Sequence, residues 1–153
     1  MKMDPSIEVE GTLMIQVVLG KKGSGKTKRL IDLANEALKT EHGVIVFVDD
    51  DKRYIYDLRH EIRFVNAGEF ALGEHRSADW FYGLLGGMLA VNYDISLIYI
   101  DAFGKLVNNK DWNDLEPLFA RLESLCAQHN VNLVISVSGD PAELPEFITR
   151  CAV

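Results

Sequence analysis

Cysteine is scarce in this sequence, and its scarcity removes two kinds of chemistry. Cys126 and Cys151 are the only two, each set among apolar residues. They read as reduced, buried small side chains, not as a disulfide framework or a thiolate metal site. Histidine is no richer: His42, His60, His75 and His129 are scattered without metal-ligand spacing. The nearest approach to a ligand cluster, Glu74-His75 with Asp79, reads as solvated surface. Long apolar runs are also missing. Residues 80–91 form the longest candidate, broken by Gly83, Gly86 and Gly87, and they fall short of the roughly 20 residues a membrane span needs. The opening residues 1–8 carry no apolar stretch, so nothing marks export and the expected location is the cytoplasm. Positive charge is in deficit as well: the net charge is −7, which argues against a broad nucleic-acid surface. What is left is the composition of a globular protein, long enough at 153 residues for one domain with a sizeable core.

The few cations are not evenly spread. Lys21, Lys22, Lys26, Lys28 and Arg29 fall within nine residues, and one basic spot on an acidic chain suits a small polyanionic ligand. They surround Gly20-Lys21-Lys22-Gly23-Ser24-Gly25-Lys26-Thr27, a full match to G-x-x-x-x-G-K-[ST]. An apolar run at 13–19 leads into it and a helical pattern from 26 to about 40 leads out. Strand, glycine loop and helix together make a phosphate cradle. The glycines let the backbone turn tightly so that successive N–H groups face one anion, and the helix N-terminus adds partial positive charge. In such a cradle Lys26 reaches the β- and γ-phosphates and the Thr27 hydroxyl meets Mg²⁺. The expected nucleotide-binding residues are therefore Gly20, Lys21, Lys22, Gly23, Ser24, Gly25, Lys26, Thr27 and Lys28.

The rest of the chain alternates strand and helix patterns. Residues 1–12 read as a polar leader, with Pro5 and Gly11 discouraging regular structure. The helix after the loop places Leu30, Leu33, Ala34, Ala37 and Leu38 on one stripe and ends at His42-Gly43. Residues 44–48 read as a second buried strand, 54–60 as a helical turn and 62–65 as a short extra edge strand. Ser77 is placed to cap a helix running to about 93, with Phe81, Leu84, Leu85, Met88 and Val91 facing the core. Its glycines suggest close packing against another backbone. Strands are expected at 97–101, 131–137 and 148–153, and helices at 114–129 and 142–147. In the first of these helices Leu115, Leu118, Phe119, Leu122, Leu125 and Cys126 share a face, and Pro117 sits in the first turn.

Three strand ends carry chemistry. Asp101 closes Leu97-Ile98-Tyr99-Ile100, and an acid there holds Mg²⁺ or assists Thr27, because the ion needs hard oxygens beside phosphates. Asp49, Asp50 and Asp51 follow the second strand, at the edge where open α/β sheets bind ligands; Asp49 and Asp50 are the candidates to orient a water or a substrate hydroxyl. Ser136 and Ser138 end the strand at 131–137 and offer hydroxyls for a γ-phosphate.

With Lys26, Thr27 and Asp101 in place, the whole chain resembles a P-loop NTPase domain, Gly20–Thr27 being the Walker A loop. The segment 98–101, the amphipathic helix after it and the strand 131–138 most resemble the RecA-like branch. The resemblance implies a single domain over 13–153 with a three-layer α/β/α fold and a mostly parallel five-stranded sheet. Counting strands at 13–19, 44–48, 97–101, 131–137 and 148–153, it implies order 5-1-4-3-2, with 62–65 as an extra edge strand. It also implies ATP and Mg²⁺ as cofactors and Lys26 as a catalytic group. RecA-like ATPases place a glutamate beside the acid or at the end of the second strand to activate water. Here Ala102 follows Asp101 and the second strand ends in aspartates, and no arginine finger can be assigned: Arg53, Arg59, Arg63, Arg76 and Arg150 are candidates by charge alone, and a partner could supply one in trans. The expected protein is thus a nucleotide-dependent module with slow or partner-dependent hydrolysis, acting through a protein partner or a homo-oligomer. The alternative comes from Asp51-Lys52-Arg53-Tyr54, which is similar to the stretch after the second strand of thymidine kinases. That alternative is a nucleoside or nucleotide kinase, although the chain lacks the cysteine cluster of those kinases and the arginine-rich lid of adenylate kinases. Asn108-Asn109-Lys110-Asp111 only approaches the guanine motif and follows a different strand, which favours ATP.

Overall fold

The computed structural model describes residues 14–153, so the leader at 1–12 and the first residue of the expected strand at 13 lie outside the described residues. Five strands are present: β1 (Ile15–Gly20), β2 (Val44–Asp49), β3 (Arg63–Asn66), β4 (Ile95–Ile100) and β5 (Asn132–Ser138). They form one sheet in the order β1-β5-β4-β2-β3, and every neighbouring pair is parallel. Parallel neighbours need crossovers, and the helices α1 (Lys26–Ala37), α2 (Ala78–Val91) and α4 (Glu116–His129) occupy three of them. Two one-turn helices, α3 (Phe103–Leu106) and α5 (Glu146–Thr149), follow β4 and β5.

Period-2 alternation sorts the strand residues between two apolar clusters. Ile15, Val17, Val46, Val48, Ile98, Ile100, Leu133 and Ile135 pack with Phe81, Leu85 and Leu89 of α2 and Leu118, Phe119 and Leu122 of α4. Val18, Ile45, Phe47, Leu97, Tyr99 and Val134 pack with Leu30, Ile31 and Ala34 of α1. A strand covered on both faces reads as a continuous apolar run, which is why 44–48 and 97–100 show no alternation. Each such Ile, Leu or Phe contributes roughly 1.5–3 kcal/mol by leaving water. Cys126 and Cys151 are free and buried, and burial pushes the Cys126 thiol up to about 12, so neither behaves as a reactive thiolate.

The expected neighbours 1-4-3-2 are found, as β1, β5, β4 and β2 here, but the fifth strand is β3 and not 148–153. Pro145 starts a helical turn, and Phe147, Ile148 and Cys151 are buried at helical spacing. Only the bridge Val17 to Ala152 reaches the sheet edge. Two helix faces are also rotated from expectation. Leu33 is exposed while Ile31 is buried, and Val91 is 86% exposed while Leu89 takes the inward position. Phe81, Leu85 and Leu89 are four residues apart, so a straight stripe that includes Leu89 leaves Val91 outside.

Ser77 caps α2 as expected, accepting the Trp80 amide at 3.0 Å. The helix glycines do not serve close packing, however: a Cβ at Gly83, Gly86 or Gly87 would meet nothing within 4 Å. Gly83→Ala and Gly87→Ala are therefore each expected to raise the unfolding free energy by roughly 0.5–1 kcal/mol, since alanine restricts the unfolded chain and no neighbour must move. Urea titrations of the two variants check this, and a loss of stability in either would mean that the glycine backbone is in contact after all.

Candidate functional site

The loop after β1 is shaped by its glycines. Gly23 and Gly25 have φ of +81° and +90°, the left-handed region where a side chain is strained. A Cβ on Gly20 would run into Ser24 Oγ and approach Lys26 Cγ at 3.0 Å. The Ser24 amide donates to the Lys21 carbonyl at 3.0 Å, closing the turn. Gly25 is also the N-cap of α1 and has no side chain to satisfy the first amides, so a row of N–H groups and the positive helix end face the loop interior. Lys26 lies across this loop, its Nζ donating to the Lys21 carbonyl at 3.0 Å. Lys28 points along the helix to Asp32 at 2.8 Å.

Asp101 is brought to this loop by the sheet order. Because β5 lies between β1 and β4, Ser136 of β5 sits between the loop and the acid that ends β4. Thr27 Oγ1 donates to Asp101 Oδ2 at 2.7 Å, and Ser136 Oγ donates to Oδ1 at 2.9 Å, so both oxygens of a 7%-exposed carboxylate are held. Directly after it, Ala102 has φ +57°, a conformation that costs a non-glycine residue roughly 1–2 kcal/mol. Phe103 anchors that turn. Its ring meets Phe81 and Phe119 edge-on at 5.4 and 5.9 Å and stacks with Trp112 at 6.2 Å.

Three consecutive aspartates at the end of β2 have three different environments. Asp49 is 5% exposed and, among the described residues, accepts only the Asp50 amide, at 2.7 Å. Burial first, and then the charge of Asp101, push its carboxyl up to about 7. Asp50 is 8% exposed but receives two cations: Arg76 Nε at 2.7 Å on Oδ1 and Lys105 Nζ at 2.9 Å on Oδ2. Burial raises its pKa, yet the hydrogen bonds and charges of Lys105 and Arg76 outweigh burial and hold it below the ordinary carboxylate value. Asp51 turns outward and pairs with Arg53 at 3.1 Å.

These groups line one cleft of about 590 Å³. Lys22, Lys26 and Thr27 come from the loop side, Asp49, Asp50 and Asp101 from the strand ends, and Tyr54, Lys105 and Trp112 from the far wall. A neighbouring cleft of about 610 Å³ runs past Gly25, Lys28, Asp32 and Asp57, and Tyr54 borders both. Among the described residues no three His, Cys, Asp or Glu side chains converge as a metal cage. The donors at hand are the Thr27 hydroxyl and the Asp101 carboxylate. That set suits Mg²⁺, which keeps several waters and is held by one or two carboxylates together with ligand phosphates.

The structure thus brings Lys26, Thr27, Asp49, Asp50 and Asp101 to one cleft, with Lys22 and Gly23 on its rim; Lys28 borders the second cleft, and Gly20, Lys21, Ser24 and Gly25 shape the loop or its helix start. Sequence reasoning did not find Lys105 or the pairing of Arg76. Lys105 stands one helical turn after Asp101, a spacing that could have signalled it; nothing local to Arg76 marks its partner.

No protein-family model matches the chain, and no curated protein matches it in sequence. Among solved structures it is similar to the flagellar accessory protein FlaH from Methanocaldococcus jannaschii, with a TM-score of 0.53 and 15% identity over 97% of this chain and 72% of that one. The likeness is one of fold, and it supports a RecA-like arrangement of the chain.

Proposed function

We propose that the chain binds ATP·Mg²⁺ on residues 20–28 and works as a nucleotide-dependent module, with hydrolysis that is slow or awaits a protein partner or a second copy. The observation that carries this reading is the 2.7 Å contact between Thr27 and Asp101, 74 residues apart, beneath an uncapped helix N-terminus. Loop amides and the helix end would take the phosphate chain, and Lys26, which among the described residues donates to a loop carbonyl alone, would turn to it. Thr27 and Asp101 would hold Mg²⁺, which neutralises charge on the phosphate oxygens. Asp49 is the cleft carboxylate left to orient a water or hydroxyl, since Asp50 is engaged by two cations and Asp51 by Arg53. With Ala102 beside Asp101, no glutamate completes the pattern seen in rapid RecA-like hydrolysis. The reading treats 13–153 as one cytoplasmic P-loop domain.

A second reading, a small-molecule kinase, has one observation in its favour: the cleft continues past Asp101 to Tyr54 and Trp112, leaving space beyond the phosphate end for an acceptor. Calorimetric titration with ATP·Mg²⁺ and GTP·Mg²⁺, with phosphate release followed in parallel, separates the two. Binding is expected, weakened at least about tenfold in Lys26→Ala, with little release. Equal titration of wild type and variant would overturn the proposal, and transfer of phosphate to an added nucleoside would establish the kinase.

A further inference from the structure

The two cations on Asp50 occupy unlike positions. Arg76 lies on the more buried side: its side chain is 20% exposed, and it lines not the cleft that holds Lys26 and Thr27 but a smaller pocket of about 300 Å³ beside Glu74 and Asn108, which Lys105 also borders. The backbone at Gly68 packs directly over this side, where a Cβ would run into the Asp50 carbonyl oxygen and come within 2.9 Å of Arg76 Nη2. Lys105 lies on the open side. Its side chain is 66% exposed, and it lines the cleft together with Lys26, Thr27 and Asp101. Its backbone belongs to the turn that follows Asp101, the Lys105 and Leu106 amides both donating to the Ala102 carbonyl at 3.0 Å.

One buried carboxylate needs one cation for compensation. With Arg76 fixed on Oδ1, the second ammonium leaves the trio with excess positive charge, and its flexible stem lets it be redirected. The cleft it faces is the one where the nucleotide reading, on which this inference rests, puts the end of a triphosphate. A terminal phosphate offers more negative charge than an Asp50 carboxylate already paired with Arg76.

We propose that Lys105 is a ligand of the nucleotide's terminal phosphate, parked on Asp50 in the free protein and released to the phosphate while Arg76 keeps Asp50 compensated. Lys105 then separates triphosphate from diphosphate, a distinction that the loop amides and Lys26 make less sharply because they also grip the inner phosphates.

The test measures dissociation constants for ATP·Mg²⁺ and ADP·Mg²⁺ by calorimetry in the wild-type chain, Lys105→Met, Lys105→Arg and Lys26→Ala. Lys105→Met is expected to weaken ATP about tenfold, the effect of one charge-assisted hydrogen bond, and to change ADP by less than about twofold. Lys105→Arg should recover most of the ATP affinity. The exposed position of Lys105 keeps the variants folded, which thermal melts without nucleotide will verify. Equal effects of Lys105→Met on ATP and ADP, or none on either, while Lys26→Ala still weakens both, would show Lys105 to be only a partner of Asp50 and overturn the inference alone. A wild-type chain that binds neither nucleotide would overturn the inference together with the reading beneath it.

Discussion

Asp101→Asn is expected to lower the affinity for ATP·Mg²⁺ by about a hundredfold while leaving the affinity for ATP in EDTA within a few-fold of wild type. Asparagine keeps the shape of the side chain and removes its charge, so the comparison isolates the charge. In the wild type both carboxylate oxygens accept, one from Thr27 at 2.7 Å and one from Ser136 at 2.9 Å. An amide has a single acceptor oxygen, so one hydroxyl must face an NH₂ and rotate away. If Thr27 is the one that rotates, the hydroxyl itself is misdirected and the metal loses both protein oxygens. The hundredfold loss corresponds to about 2.7 kcal/mol, reasonable for a hard cation deprived of a buried anionic partner. The fold should survive, because a carboxylate 7% exposed and facing another acid loses repulsion on neutralisation. Calorimetry with and without Mg²⁺ checks the expectation. Equal losses in both conditions would mean that Asp101 only shapes the loop, and no loss in either would remove it from the metal site.

The sheet was readable because buried parallel strands are short, continuous apolar runs, and crossover helices separate them with long patterned segments. The order of neighbours came from the RecA-like resemblance, which implies one strand between the loop strand and the acid strand, and β5 lies there. The end of the chain was not readable for a specific reason. Phe147, Ile148 and Cys151 are apolar enough for either a strand or a helical turn; Pro145 opens a turn here, and in this segment only Ala152 bridges to Val17. The glycines of α2 misled for the converse reason: a glycine in a helix suggests contact, yet here no neighbouring atom lies near those positions.

The candidate site was legible wherever its chemistry is local. Gly20–Thr27 is a contiguous pattern, and Asp101 is marked by the apolar strand it terminates. The Thr27–Asp101 contact follows from sheet order once those two are known. What the sequence does not show is the difference among Asp49, Asp50 and Asp51. Three identical residues in a row give no sign that one is isolated, one doubly paired and one turned outward. That difference is imposed by Arg76, from the segment before α2, and by Lys105, from the turn after β4, reaching across the fold by ion pairs with no sequence period.

The metal-free protein is expected to lose stability as pH rises from 5 to 8, and Asp49→Asn to abolish most of that loss. Asp49 titrates near 3.8 in an unfolded chain and at about 7 in the folded one. Between those values the folded chain keeps a proton that the unfolded chain has released, so the unfolding free energy falls with rising pH and levels off above about 7. Asp50 shifts the opposite way; its contribution is complete above the ordinary carboxylate value and is lost only in acid, outside this window. From pH 5 to 7 the Asp49 effect amounts to roughly 2–3 kcal/mol. For a chain of this size that is on the order of 5–10 °C in Tm. Asparagine can still accept the Asp50 amide, so Asp49→Asn should melt close to wild type at pH 5 and well above it at pH 8, both in EDTA. Parallel curves across the range would show that Asp49 does not bear this charge alone. Adding ATP·Mg²⁺ at pH 8 should narrow the gap by raising wild type more than the variant, because a cation held at Thr27 and Asp101 would offset the Asp101 charge that Asp49 experiences. The raised Asp49 carboxyl and the proposed preference of the site for a divalent cation then have one origin, the burial of Asp49 close to the charge of Asp101.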